Sequence, residues 1–227
     1  SSDVCSSDLI STMNIDCNQK NTYFTSKNHV IRKADDIVRK LNDEYPRISK
    51  TVFEDFNNID KFECVKDMLD YKTMRLRSGI STRRIHSTTK EEMITALPDN
   101  VKKFKTGNCF ESAELATIAA KVNGLKDYRI GEVLSSEKGS LDHAVVIVNN
   151  GKNPYILDAW LGFADYIPNA IERFQKEFRH HFDMSGTNTE KIIIKPREIP
   201  TFQESILNKS KETDVKALFP KLCVDKN

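Results

Sequence analysis

The sequence predicts an α+β fold in which a helix packs across an antiparallel β-sheet and further helices precede this core. Three observations lead to this prediction. Charged segments with helical periodicity fill residues 28–100, a loop becomes a strongly helical run at Cys109, and short β-branched runs separated by turns follow from residue 128. Helix and sheet signals are therefore largely segregated along the chain, which is typical of the α+β class.

Length and composition allow one sizeable hydrophobic core without crosslinks. The chain has 227 residues, a net charge of +2 with both signs interspersed, and five cysteines without a Cys-x-x-Cys pair. Scattered cysteines in odd number indicate free thiols in a reducing, cytoplasmic-type compartment, and no metal site is expected. The weak net charge gives no reason to expect nucleic acid as a partner, and no run approaches the roughly 18 apolar residues of a membrane span.

The first hundred residues divide into a terminal segment and a helical region. Residues 1–9 resemble a translated adapter sequence and are interpreted as non-native, which leaves the natural N-terminus and any signal there open. Residues 10–100 form a mainly helical region, in which Pro46 and Pro98 are expected to stop helices. From their apolar periodicity, amphipathic helices are predicted over residues 29–41, 52–71 and 88–97.

Two segments are predicted to be peripheral. Residues 75–84 contain four arginines, two serines and a glycine, so they are expected to form an exposed loop that either faces a substrate or is simply solvated. Residues 201–227 are predicted to form a C-terminal helix and a lysine-rich tail that frays from about Asn208.

Cys109 lies where a loop becomes a helix, because Gly107 and Asn108 precede it and a strongly helical run follows over residues 111–122. The first N–H groups of a helix have no partner within the helix, so they stabilise a thiolate placed beside them. The backbone N–H of Cys109 is also a natural donor to an oxyanion. Asn108 is expected either to add a second donor or to cap the helix.

The periodicity changes after this helix. Apolar and β-branched runs separated by turn signals predict strands over residues 128–134, 144–148, 155–157 and 191–195, and a helix over residues 171–178. A short Asn-Asn-Gly connection at residues 149–151 favours antiparallel neighbours. Residues 101–200 are therefore predicted to form the helix-plus-sheet core.

His143 and Asp158 are the candidate base and orienting acid for the thiol. His143 opens an apolar strand and Asp158 ends the next one, and the spacing of 15 residues fits a two-stranded hairpin that places them side by side. Trp160, the only tryptophan, either covers this pair from water or is simply a core aromatic. Asp142 is a rival acid, but it is expected on the opposite face of the strand from His143.

These motifs resemble the Cys-His-Asp core of the papain-like and transglutaminase-like superfamily. The likeness covers roughly residues 100–165 and rests on Gly-Asn-Cys-x-Glu-x-Ala, Asp-His-Ala-Val-Val and Leu-Asp-Ala-Trp. In particular, the chain is similar to bacterial effector and toxin members that act as cysteine proteases or protein glutamine deamidases. The glutamine that precedes the nucleophile in papain-type enzymes has no counterpart here, so the second oxyanion donor is not implied.

The resemblance implies a thiol-dependent amide hydrolase with Cys109, His143 and Asp158 as its catalytic triad. Protease and deamidase share this mechanism and differ in the amide that the cleft admits, and an amine acceptor would make the enzyme a transglutaminase-type acyl transferase. A catalytically silent binding module on the same scaffold is the alternative from another class. No cofactor is expected, because thiol, imidazole and backbone donors suffice.

The expected partner is a protein substrate. For an effector, this would be a host protein, reached after a specialised secretion system delivers the chain into the host cell. The oligomeric state is left open by the sequence.

Overall fold

The computed structural model describes residues 29–48, 59–135, 143–151, 153–183 and 192–224. Within them the fold is α+β, with helices around a five-stranded antiparallel sheet, as the sequence predicts. The elements in chain order are α1 (His29–Glu44), α2 (Ile59–His86), α3 (Lys90–Phe104), α4 (Cys109–Val122), β1 (Tyr128–Ser135), β2 (His143–Val148), β3 (Tyr155–Asp158), β4 (Phe163–Tyr166), α5 (Ile167–Asp183), β5 (Ile192–Pro196), α6 (Phe202–Asn208), α7 (Glu212–Leu218) and a 3-10 turn (Pro220–Leu222).

The sheet has the order β4-β3-β2-β1-β5, and each neighbouring pair is antiparallel. The predicted hairpin is formed by β2 and β3, in which Val146 pairs with Leu157. Strand β4 was not predicted: it has only four residues and follows a tight turn at Gly162, where φ is +76°. Its pairing with β3 closes that edge and fixes the turn directly after Asp158.

Helix α4 is buried on nearly all sides. Its side chains are almost all small or apolar, and the sheet, α1 and the C-terminal helices surround it. A helix with small or apolar residues around most of its circumference is typical of a protein interior. This burial holds the N-terminus of α4, and with it Cys109, in a fixed position against the sheet.

The opposite face of the sheet is covered by α5. Ala170, Phe174 and Phe178 of this helix pack against the strands in a second apolar cluster. The helix predicted over residues 171–178 therefore exists and is longer than predicted, since it runs over Ile167–Asp183.

The predicted helix over residues 29–41 is confirmed as α1, which extends to Glu44. Its spacing of apolar residues places one face in the main core; the buried side chains are Ile31, Ala34, Ile37, Val38 and Leu41. The helix predicted over 52–71 begins outside the described residues, and its later part belongs to α2.

The prediction of an exposed loop over residues 75–84 is wrong, because α2 continues through this stretch to His86. Gly79, the residue that suggested a turn, is needed for close packing: a Cβ there would lie 2.3 Å from Oδ1 of Asn100 in α3. Arg83 also forms an ion pair with Asp99 of α3. Tertiary contacts with α3 thus stabilise a helix that local propensity disfavours.

The prediction that Pro98 stops a helix is also wrong, because α3 runs from Lys90 to Phe104 with Pro98 inside it. A proline removes the N–H that would bind the carbonyl four residues earlier. That carbonyl belongs to Ile94, and the buried side chain of Gln203 donates to it instead at 3.4 Å. Residue 100 accordingly lies within a helix, and the main core combines side chains from both sides of it.

The C-terminal region is more ordered than the predicted fraying tail. After α6, helix α7 and the 3-10 turn pack on α4 and α1 through the buried side chains of Val215 and Leu222. Asn123, the residue directly after α4, donates to the carbonyl of Leu222 and accepts from the backbone N–H of Val224, both at 2.8 Å. Within the described segments no helix combines the length and the apolar character needed to cross a bilayer.

Candidate active site

Cys109 is the first residue of α4 and is reached through a tightly held connection from α3. Lys105 directly follows α3, and its φ of +52° reverses the chain direction. Ile48 then holds the connection, because its N–H donates to the carbonyl of Lys105 at 3.1 Å and its carbonyl accepts from Oγ1 of Thr106 at 3.0 Å. The loop that presents the half-buried thiol is therefore fixed before the helix begins.

Asn108 occupies the N-cap position of α4, and the buried Glu111 accepts its backbone N–H at 2.9 Å. The other carboxylate oxygen of Glu111 accepts from Nε of Arg77 at 2.6 Å. This hydrogen bond raises the pKa of Arg77 against the lowering effect of partial burial, and the electrostatic interaction with Cys109 raises it further. Arg77, from the stretch predicted to be a loop, thus brings a half-exposed positive charge close to the thiol.

His143 and Asp158 lie side by side, as the hairpin spacing predicts. Nε2 of His143 is 2.6 Å from Oδ2 of Asp158, and both side chains are buried. The second carboxylate oxygen accepts the backbone N–H groups of Trp160 at 3.0 Å and Leu161 at 2.9 Å. These bonds fix the carboxylate, and through it the plane of the imidazole. Asp142, the rival acid, lies outside the described residues.

His143 also forms a hydrogen bond with Cys109. Since Nε2 is engaged by Asp158, the nitrogen that remains for the sulfur is Nδ1. Burial by itself would lower the pKa of His143, but the Asp158 carboxylate and the bond to Cys109 outweigh burial and raise it to about 9. The imidazole is therefore protonated at neutral pH and faces the sulfur on one side and the carboxylate on the other.

Three aromatic rings surround the imidazole. The ring of Trp160 lies 5.1 Å from that of His143 between centroids, and the rings of Phe174 and Phe178 both lie at 5.6 Å. Trp160 thus lies against the ring of His143. The two phenylalanines were missed, because their only signal is an i, i+4 spacing in a helix, which equally fits ordinary core packing.

The pH dependence of stability provides a test of this pair. The pKa of His143 is about 9 in the folded protein and about 6.5 when unfolded, so the stabilisation is complete below pH 6.5 and is lost as the pH rises to 9. We expect the free energy of unfolding to fall by about 3 kcal/mol between pH 6.5 and pH 9.5 from this residue alone. Denaturant titrations of the wild type and of His143→Gln would measure it.

The matched control is His86→Gln, because His86 is exposed at the end of α2. We expect this variant to keep the pH slope of the wild type, whereas His143→Gln loses it. Equal slopes in the wild type and His143→Gln would mean that the buried ion pair does not form.

Within the described part of the chain, no three His, Cys, Asp or Glu side chains are grouped so that they could hold a metal ion. Comparisons with family models, with curated proteins and with solved structures give no significant match. The function therefore has to be inferred from the site itself.

Proposed function

We propose that this protein is a thiol-dependent amide hydrolase that acts on a protein substrate, with Cys109 as nucleophile, His143 as proton carrier and Asp158 as the acid that orients it. One observation carries the proposal: sulfur, imidazole and carboxylate form a continuous hydrogen-bonded series that starts at the N-terminus of a buried helix. Nucleophile, base and orienting acid in this order are the parts that thiol catalysis requires.

The proposed reaction begins with attack of the Cys109 thiolate on the carbonyl carbon of an amide. A carbon–sulfur bond forms, and the electron pair of the carbonyl moves to its oxygen, to which the backbone N–H of Cys109 donates. The His143 imidazolium then gives its proton to the departing nitrogen as the carbon–nitrogen bond breaks. The products of this half-reaction are a thioester, a neutral imidazole and an amine or ammonia.

Water completes the cycle. Neutral His143 accepts a proton from water as the water oxygen bonds to the thioester carbon. The carbon–sulfur bond then breaks, which regenerates the thiolate. Asp158 stays ionised and stabilises the imidazolium at both stages. A peptide-bond substrate leaves a new N-terminus, a glutamine side chain leaves ammonia, and an amine in place of water leaves a crosslinked product.

The supporting electrostatics come from both sides of the thiol. The imidazolium contacts the sulfur directly, and the guanidinium of Arg77 contributes a second positive charge nearby. Both stabilise a thiolate, which is the reactive form of cysteine. The half-buried position of Cys109 leaves part of the residue open to solvent, as attack on a bulky substrate requires.

The test is a comparison of host-cell lysate treated with wild-type protein or with Cys109→Ala. The proposed host substrate follows from the resemblance to effectors. We expect the wild type alone to produce either new protein N-termini or conversion of glutamine to glutamate at defined positions, as measured by mass spectrometry. New N-termini identify a protease and converted glutamines a deamidase.

Cys109→Ala separates catalysis from binding, because it removes only the sulfur. Crosslinked or amine-labelled glutamines would identify an acyl transferase instead of a hydrolase. If Cys109→Ala retained the full effect of the wild type on its partner, the protein would be a binding module rather than an enzyme.

A further inference from the structure

We propose that Arg47 is a positioning residue of this site, which joins the nucleophile helix to the turn that carries Asp158. The inference rests on the proposed function and adds a residue to its machinery. Arg47 follows Pro46 in the connection after α1, where the sequence carries no signal of a role in catalysis.

The guanidinium of Arg47 bonds to both halves of the site. Its Nε donates to Oγ of Ser112 at 2.7 Å, and Ser112 lies three residues after Cys109 in the first turn of α4. Its Nη2 donates to the carbonyl of Ala159 at 2.7 Å, and Ala159 directly follows Asp158. Because a guanidinium is planar and rigid, these two bonds fix the distance between the helix and the turn.

Two further bonds hold the guanidinium itself. Nη1 donates to the carbonyl of Tyr45 at 2.9 Å, and Nη2 donates to Oδ1 of Asn42 at 3.0 Å. Both acceptors belong to the end of α1 or to the residue after it, and α1 is anchored in the main core. The link between the thiol and the acid is therefore anchored to α1, which packs in the main core of the protein.

The side chain of Arg47 also passes beside the loop that presents the thiol. A Cβ on Gly107 would lie 3.4 Å from Cδ of Arg47 and 3.4 Å from Cβ of Glu111, so the arginine lies within van der Waals reach of this loop. The next residue, Ile48, pairs with Thr106 in the same loop. Arg47 thus contacts the approach to Cys109 as well as the helix that follows it.

The positive charge of Arg47 is attracted to the carboxylate of Asp158. Burial lowers the pKa of Arg47 to about 10, and attraction to Asp158 opposes this effect. The group is therefore still a cation at neutral pH, and it faces the same carboxylate that binds the imidazole of His143. Arg47 is half-buried, and the attraction to Asp158 adds to the hydrogen bonds that stabilise its charge.

The experiment uses Arg47→Lys, which keeps the charge but replaces a rigid fork with a single ammonium that cannot reproduce the same bonds. We expect the variant to fold and to react with iodoacetamide at Cys109 roughly tenfold more slowly at pH 7, because small displacements of reacting groups lower rates steeply. We also expect the pKa of His143, followed by NMR of its ring, to fall from about 9 towards its ordinary value.

Two comparisons separate positioning from a general loss of stability. Arg83→Lys changes an arginine that bonds Thr95 and Asp99 between α2 and α3, and we expect it to leave the Cys109 rate and the His143 titration unchanged. Ser112→Ala removes one acceptor of Arg47, and we expect Arg47→Lys to slow the reaction less in this background than in the wild type. Additive effects would overturn the proposed link.

Failure of this inference and failure of the proposed function give different results. If Cys109 of the wild type reacts no faster than Cys223, the proposed function fails. If the wild type reacts quickly and a folded Arg47→Lys has the same rate and the same His143 titration, Arg47 is a structural residue only. If Arg47→Lys does not fold, Ser112→Ala tests the same link. An unchanged Cys109 rate and an unchanged His143 titration in Ser112→Ala would then make Arg47 a structural residue only.

Discussion

Replacement of His143 by glutamine is expected to lower turnover at Cys109 by about 10⁴-fold, because the residue supplies the proton in one half-reaction and accepts it in the other. Glutamine still donates to a carboxylate, so the bond to Asp158 can be kept while the titrating group is lost. Alkylation of Cys109 at pH 7 should also fall by about tenfold or more, because an ordinary thiol is only a few per cent ionised at this pH.

The measurement is the alkylation rate of each cysteine by peptide mass spectrometry, together with turnover of the substrate found in the lysate experiment. Cys223, which lies near the C-terminus and is half-buried, is the internal reference in every sample. His86→Gln is the matched variant, since it removes an exposed histidine far along α2. An unchanged Cys109 rate in His143→Gln would contradict the proposed role of the imidazole.

Replacement of Asp158 by asparagine is expected to lower turnover by about 10³- to 10⁴-fold while the fold is retained. The amide oxygen of asparagine can still accept the N–H groups of Trp160 and Leu161, which leaves its NH₂ group facing Nε2 of His143. An NH₂ group only donates, so Nε2 has to be the unprotonated nitrogen. The ring proton then lies on Nδ1, which faces the sulfur. Nδ1 can therefore no longer accept the proton of the Cys109 thiol.

This prediction has a spectroscopic readout that does not depend on the substrate. Without the carboxylate, only the smaller interaction with Cys109 opposes the lowering effect of burial on the pKa of His143, so the ring should be neutral at pH 7 and its NMR signals should show the proton on Nδ1. Asp165→Asn is the matched control, because Asp165 lies on the neighbouring strand β4 and accepts hydrogen bonds from the nearby Tyr166 and Asn169. A protonated ring in Asp158→Asn would show that another group holds the charge.

The candidate site could be predicted because each of its parts has a local signal. Cys109 marks the change from loop to helix, His143 opens an apolar strand, and Asp158 ends the strand that follows a short turn. A two-stranded hairpin of that length leaves little freedom, so the sequence spacing alone brings His143 and Asp158 together. The bond between them at 2.6 Å follows from this local geometry.

The predictions of a loop over residues 75–84 and of a helix stop at Pro98 were wrong because they relied on local signals that distant contacts override. Gly79 and Pro98 are residues that usually interrupt helices, and both lie inside helices here because distant residues compensate for them. Asn100 packs where a Cβ of residue 79 would be, and Gln203 satisfies the carbonyl that Pro98 leaves free. Neither compensation is visible in a short window of sequence.

The sequence by itself determined the α+β class, the main strands and the three residues of the candidate triad, because these depend on periodicity, turn chemistry and short spacing. Tertiary structure alone decided which side chains from distant elements surround the triad. Phe174 and Phe178 reach His143 from α5, on the face of the sheet opposite to α4, and Arg47 reaches Ala159 across 112 residues of chain. Such contacts depend on how whole elements pack, and packing combines parts of the chain that share no local pattern.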